Sequence, residues 1–239
     1  MHEERHRAIV LRVWFWTAGF TLIAAMYPVE YRLSRVGLVV GLVLLLAGSL
    51  WLWWGNRLMR FSVVGLMVAA LILVALPGRE ADTEELRSAY ANSLRGYAGT
   101  RYIWGGERSL GIDCSGLVRR GLINAQFRRG LLTMNGRLIR QALHLWWHDC
   151  SANALKDRHR DLTQTLFEQA DIVSADHDRL QIGDLAVTRD GVHVLAYLGD
   201  HNWIQADPDL GRVLTVGLPT TNHWFHHPVV FMRWRTLAP

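Results

Sequence analysis

Two residue types are nearly missing from this 239-residue chain: cysteine occurs twice, at Cys114 and Cys150, and lysine once, at Lys156. So few cysteines exclude a disulfide-stapled fold and the paired C-x-x-C sites of structural zinc. None precedes Cys114, which argues against an N-terminal lipoprotein anchor. No H-E-x-x-H run, nucleic-acid motif, internal repeat or low-complexity tract is present. Metal and nucleic acid are therefore not expected as partners. The shortage of lysine leaves arginine to carry the positive charge, a bias that reads as genomic composition.

The surplus of positive charge, +5 with a pI near 9.7, is unevenly placed. Residues 79–239 carry 19 basic and 18 acidic side chains, whereas the first 78 carry seven arginines and three glutamates. Charge is absent from residues 13–29, 36–55 and 61–78. Each run approaches the ~20 residues needed to cross a bilayer core. Trp51, Trp53 and Trp54 close the second run as an interfacial belt would. The reading is a membrane anchor over residues 1–78, with transmembrane helices at about 9–29, 36–55 and 61–78, its arginines facing lipid headgroups. A cleavable signal peptide accounts for neither later run, and its charged flank would be mixed in sign. Arg5, Arg7, Arg12, Arg57 and Arg60 fall on one side, against Arg32, Arg35, Arg79 and Arg87 on the other. That five-to-four bias only slightly favours an inside N terminus, which would put residues 79–239 outside the cytoplasm.

After a polar hinge at residues 78–82, Asp82 and Glu85 form a capping-box pattern opening a helix to about Arg95, with Leu86, Tyr90 and Leu94 on one side. Helical periodicity continues over residues 117–127, 138–147 and about 155–170. From Leu180 the period changes to two, predicting strands near 184–188, 192–198, 203–206, 213–217 and 229–234. Helices followed by strands predict an α+β fold with an antiparallel sheet packed on helices.

Between the first soluble helix and the second lies Gly111-Ile-Asp-Cys114-Ser-Gly-Leu-Val118, preceded by the glycine-rich Tyr102-Ile-Trp-Gly-Gly106. This order places Cys114 at a helix start, where free N–H groups and the helix dipole lower a thiol pKa from about 8.5. Iodoacetamide near neutral pH should then modify Cys114 much faster than Cys150, which lacks such a context and reads as structural. His193 opens an alternating strand with Leu195 and Tyr197, and Gln205 and Asp207 share a face of the next. Cysteine on a helix, histidine on a strand and a polar group on the next strand make a papain-like arrangement. Either could orient the imidazole, although Asp207 precedes Pro208 in a turn.

Tyr102, Trp104-Gly105-Gly106, Asp113-Cys114-Ser115-Gly116, Gly183-Asp184-Leu185, His193-Val194, Tyr197-Leu198-Gly199 and Gln205 occur in one order over most of residues 84–207. In this the chain resembles the NlpC-type papain-like cysteine peptidases, which cut bacterial cell-wall peptides. Leu195 stands where that family often has glycine, and the segment before Gly183 is longer than usual. The resemblance implies a hydrolase without cofactor: Cys114 the nucleophile, His193 the base, Gln205 its orienting amide. It further implies an oxyanion held by the Cys114 N–H with the Tyr102 hydroxyl, and substrate bound by Tyr102, Asp113 and Ser115. The substrate implied is a peptidoglycan stem peptide cut between D-glutamate and the diamino acid. The place implied is a bacterial cytoplasmic membrane, with the catalytic part facing the periplasm or cell exterior, an orientation that rests on this implied substrate as much as on the arginine bias. A disulfide between Cys114 and Cys150 would consume the nucleophile and is not expected. Two other functions fit the same residues: an amidase or acyltransferase on a lipid or protein amide, and a non-catalytic wall-binding module. The histidines at 144 and 148, and those at 223, 226 and 227, read as polar surface. A helical insertion at about 128–180 is expected to cover one end of the cleft, offering Leu143, Trp146 and Trp147 as apolar surface and Arg137, Arg140, His144 and His148 as polar groups.

Overall fold

The computed structural model describes residues 2–238, with side chains from Glu4 onward. Helices α1 (His2–Met26), α2 (Arg32–Leu52) and α3 (Arg57–Ala75) come first. Glu4–Met26, Arg32–Leu52 and Arg57–Ala75 are each long and apolar enough to cross a membrane. The helices begin several residues ahead of the charge-free runs and take in the arginines that precede each run. Phe15, Trp16, Leu33 and Leu71 point outward, each more than 60% exposed; in water such surface would be costly, in lipid it is matched. At the α1–α2 seam, Trp14 Nε1 donates to Leu45 O and Ser49 Oγ, each at 3.1 Å. A Cβ on Gly48 would meet the Trp14 ring at 2.8 Å, so the seam needs glycine there.

Beyond these three helices, Asp82 caps α4 (Thr83–Arg95) by accepting from the N–H groups of Glu84 and Glu85 at 2.9 and 3.1 Å. Leu86, Tyr90 and Leu94 are buried as the periodicity predicts. The expected hinge at 78–82 is instead pinned: the Asn135 amide accepts from Arg79 N–H at 3.1 Å and donates to Arg79 O at 3.0 Å. A short hairpin, β1 (Glu107–Arg108) and β2 (Gly111–Ile112), leads into α5 (Cys114–Leu132), followed by α6 (Gly136–Trp147) and α7 (Ala152–Lys156).

The main sheet contains β3 (Thr163–Gln169), β4 (Leu185–Thr188), β5 (Val194–Gly199), β6 (Asn202–Asp207), β7 (Arg212–Gly217) and β8 (Val229–Trp234). Its order is β3-β8-β4-β5-β6-β7, with every neighbouring pair antiparallel. Helix α5 packs Leu117, Val118 and Leu122 against Val187, Val194, Ala196 and Ile204. On the opposite face Ala186, Leu195, Tyr197, Trp203 and Phe231 are covered by Ile172, Leu180 and Phe225. Covering both faces explains why β4 is buried at all four positions.

The helix expected at 155–170 is a correction. There α7 stops at Lys156, and Thr163–Gln169 forms a strand on the free edge of β8. Thr163 and Thr165 are β-branched and favour the extended chain, and pairing with β8 outweighs the local helical pattern. The segment 128–180 is thus part helix, part sheet edge.

Candidate active site

Asp113 is extended (φ −100°, ψ −178°) and caps α5. Its Oδ1 accepts from Gly116 N–H at 2.6 Å and Ser115 Oγ at 3.0 Å, and its Oδ2 from Gly105 N–H at 2.8 Å. Gly105 has φ +72°, a left-handed conformation that glycine adopts without penalty, which explains the Gly105-Gly106 pair. The carboxylate therefore ties the 101–113 loop to the helix start. Cys114 is the first helical residue and is only 6% exposed. Its Sγ makes one weak bond, donating to Val192 O at 3.9 Å. Burial, then the negative Asp113, push the thiol pKa up to about 12, against the downward pull of the N–H groups of Val194, Ser115 and Cys114. The expected lowered pKa is thus corrected: in a dry pocket beside a carboxylate, desolvation outweighs the helix start. Burial likewise pushes Cys150 up to about 12, and both thiols are free. Acidity alone gives iodoacetamide no reason to prefer Cys114.

His193 stands one residue before β5, at the foot of the β4–β5 hairpin. Thr188 fixes it there: His193 N–H donates to Thr188 Oγ1 and Thr188 N–H donates to His193 O, both at 3.0 Å. The ring Nε2 lies 2.7 Å from Gln205 Oε1. Gln205 Nε2 in turn donates to Asp207 Oδ2 at 3.2 Å, and Asn222 Nδ2 donates to the same oxygen at 2.8 Å. A carboxylate accepts only, so Asp207 fixes which end of the amide faces the ring. Oε1 then requires a proton on Nε2, leaving Nδ1 as the basic nitrogen. Asp207 also accepts from the N–H groups of Asp209 and Leu210, at 2.9 and 3.0 Å. Trp224 stacks on the imidazole with centroids 4.2 Å apart and planes at 28°. Burial draws the His193 pKa down to about 4, against opposing pulls from Gln205 and Asp207. The histidine is neutral at neutral pH, as is the thiol.

Asn222 and Trp224 were not legible as site residues. They lie in Asn222-His-Trp-Phe-His-His227, where the histidine cluster drew the reading of polar surface. The aromatic inside that cluster was the available signal. His223 and His227 pack around Trp224, with centroids 4.5 and 5.5 Å away.

A cleft of about 380 Å³ opens over Cys114, lined among others by Tyr102, Trp104, Asp113, Ser115, Asp149 and Val192, and by Glu30 and Tyr31 of the α1–α2 connection. Burial, then the charges of Cys114, Asp113 and Asp209, hold the Tyr102 hydroxyl pKa above its ordinary value, so it remains a donor. Tyr102, Asp113, Cys114 and Ser115 are thus together, while His193 and Gln205 are buried beside the cleft rather than lining it. From the segment 128–180 the cleft receives Asp149, Ser151 and Ala152. Arg137, Arg140 and His144, expected to cover it, line a separate recess of about 390 Å³ with Leu122 and Trp234. Arg140 donates to Val74 O and Leu76 O at 2.7 and 2.9 Å, where its charge meets the C-terminal end of α3.

A family model described as the NlpC/P60 family matches residues 99–233. No curated protein matches the chain. Among solved structures, NlpC1 from Trichomonas vaginalis is similar at 21% identity and TM-score 0.41, over 61% of this chain and 42% of that one. The peptidoglycan hydrolase RipB from Mycobacterium tuberculosis is similar at 20% identity and TM-score 0.41, over 67% and 69%. An NlpC/P60 family protein from Bacillus cereus is similar at 20% identity and TM-score 0.39, over 67% and 42%. The chain thus spans less than half the length of the first and third.

Proposed function

The chain belongs to the NlpC/P60 family, a family of cysteine peptidases and hydrolases, and we propose that it is a membrane-anchored cysteine peptidase cutting peptidoglycan stem peptides at the D-glutamyl–diamino acid bond. The observation that carries this reading is the continuous Asp207–Gln205–His193 chain, ending beside Val192, whose carbonyl faces the thiol at the start of α5. A domain that only bound wall peptides would have no use for an amide oriented on both sides.

His193 Nδ1 takes the Cys114 proton as sulfur attacks the amide carbonyl carbon. The oxyanion is met by the Cys114 N–H and the Tyr102 hydroxyl. Collapse of the tetrahedral intermediate breaks the C–N bond, and the proton on Nδ1 passes to the leaving amine. Water, deprotonated at the same nitrogen, then hydrolyses the thioester and regenerates the thiol. Asp113 and Asp149 make the cleft anionic, which suits the free amine of a diamino acid. The test is incubation of the full-length protein, in detergent or nanodiscs, with muropeptides, followed by mass analysis. Products ending in D-glutamate are expected; intact muropeptides would overturn the reading.

Two further expectations follow from the geometry. Replacing Gln205 by leucine frees the ring to turn and to take the wrong tautomer, so kcat should fall about 10²-fold or more while KM changes little. Gln205→Asn should recover part of this loss. A resting pair that is neutral on both sides also predicts an unusual pH profile. The base works only unprotonated, so kcat/KM is lost as pH falls through about 4 and is level from there to about pH 9. A bell that descends above about pH 8 would instead mean a thiolate–imidazolium pair.

A further inference from the structure

We infer that the cleft is fed from the membrane surface, and that its substrate is a lipid-linked peptide whose scissile amide lies close to the headgroup. This rests on the peptidase reading above. Consecutive crossings by α1 and α2 put residues 27–31 on one membrane face, and α3 returns the chain to that face. The connection and the catalytic part therefore share a side, whichever compartment it is.

That connection is built into the site rather than lying near it. Glu30 N–H donates to Gly105 O at 3.2 Å, Glu107 N–H donates to Pro28 O at 2.9 Å, and Val29 bridges Gly106. Gly105 is the residue whose own N–H holds the Asp113 cap. Arg35, in the first turn of α2 and 1% exposed, bonds Glu30 at 3.2 Å and Glu107 at 3.0 Å. Arg119 of α5 bonds Glu107 and reaches Asp149 at 2.6 Å, while Arg108 pairs with Glu30. Ion pairs this buried persist only where geometry is held fixed. A loose tether has no need of them.

The rim has the character of a headgroup layer. Tyr27, Tyr31 and Trp104 are 57%, 61% and 74% exposed, and such rings, apolar with a polar tip, favour that depth. Tyr31 and Trp104 line the same cleft as Cys114. The cleft lining sets the carboxylates of Glu30, Asp113 and Asp149 and the Ser115 hydroxyl among apolar surface from Trp104, Ala152 and Val192, a mixture that suits a peptide carrying both charged and apolar groups. A lipid-linked peptide satisfies both conditions: its lipid stays in the bilayer while its peptide enters the cleft.

The test uses the full-length protein reconstituted in phosphatidylethanolamine/phosphatidylglycerol vesicles. One stem peptide is supplied in three forms: coupled directly to a phosphatidylethanolamine headgroup, coupled through a Gly/Ser spacer of about 30 residues reaching ~30 Å, and free. Cleavage of the directly coupled form at least 10-fold faster than the spaced form, at equal surface density, is expected. Equal rates for the two coupled forms would mean that co-localisation alone matters, and a faster spaced form would mean that the cleft stands off the membrane. Either overturns the inference, as does equal cleavage of the free peptide, and all three leave the peptidase reading intact. Failure to cut any form would overturn both.

Discussion

Replacing Cys114 by alanine is expected to lower stem-peptide cleavage by at least about 10³-fold. No other described thiol can substitute, because Cys150 does not line the cleft. The protein should remain folded, since the sulfur makes one weak bond and its removal leaves a cavity costing only ~1 kcal/mol. Mass analysis of the products measures the first effect and thermal unfolding the second. Cleavage within 10-fold of the parent would show that another group performs the attack. Cys114→Ser keeps the shape but offers a hydroxyl with a far higher pKa, so it should be nearly as inactive.

The second large effect is on stability. Glu107→Ala should cost about 3–5 kcal/mol, because it leaves Arg35 and Arg119 buried without the carboxylate they share. In an assembly of this size that is a fall in Tm of about 6–20 °C. Burial draws the Glu107 pKa up and the two guanidiniums oppose it, so the carboxylate depends on them as much as they depend on it. Glu107→Gln keeps the shape and some of the bonds and should fall between parent and alanine. A Tm change below about 2 °C for Glu107→Ala would mean that water reaches the network.

Much of the site's local structure is legible in the sequence. Asp113-Cys114-Ser115 after a glycine pair marks a helix start, because a capping carboxylate and a positive-φ residue are local requirements. Strand alternation leaves His193 with either Gln205 or Asp207, and the resemblance to a known family points to Gln205. The register even left Asp207 in contention, and Asp207 turns out to hold the amide that holds the ring. What escaped the reading depends on distant parts of the chain. Thr163–Gln169 becomes a strand because β8 offers an edge 66 residues later, counting from Thr163 to Val229. Trp224 meets His193 only once the sheet is assembled. The thiol pKa was misjudged because helix-start chemistry is local, whereas burial is a property of the whole fold. The wall formed by Glu30 and Tyr31 escaped for the same reason: nothing in the anchor announces a partner in β1.

The pairing of residues 28–30 with 105–107 also constrains the order of events during synthesis. Those partners are separated by more than 70 positions, as are Arg35 and Glu107. A contact so remote is slow to find from an unfolded chain. Here one partner leaves the ribosome far earlier, and under the proposed anchoring α1 and α2 would already be confined to a plane before Gly105 has been made. The nascent β1 then searches in two dimensions against a preformed ledge rather than in three against a coil. Since Gly105 N–H also holds the Asp113 carboxylate, the loop ahead of the thiol takes its final form only once residues 28–30 are in place against it.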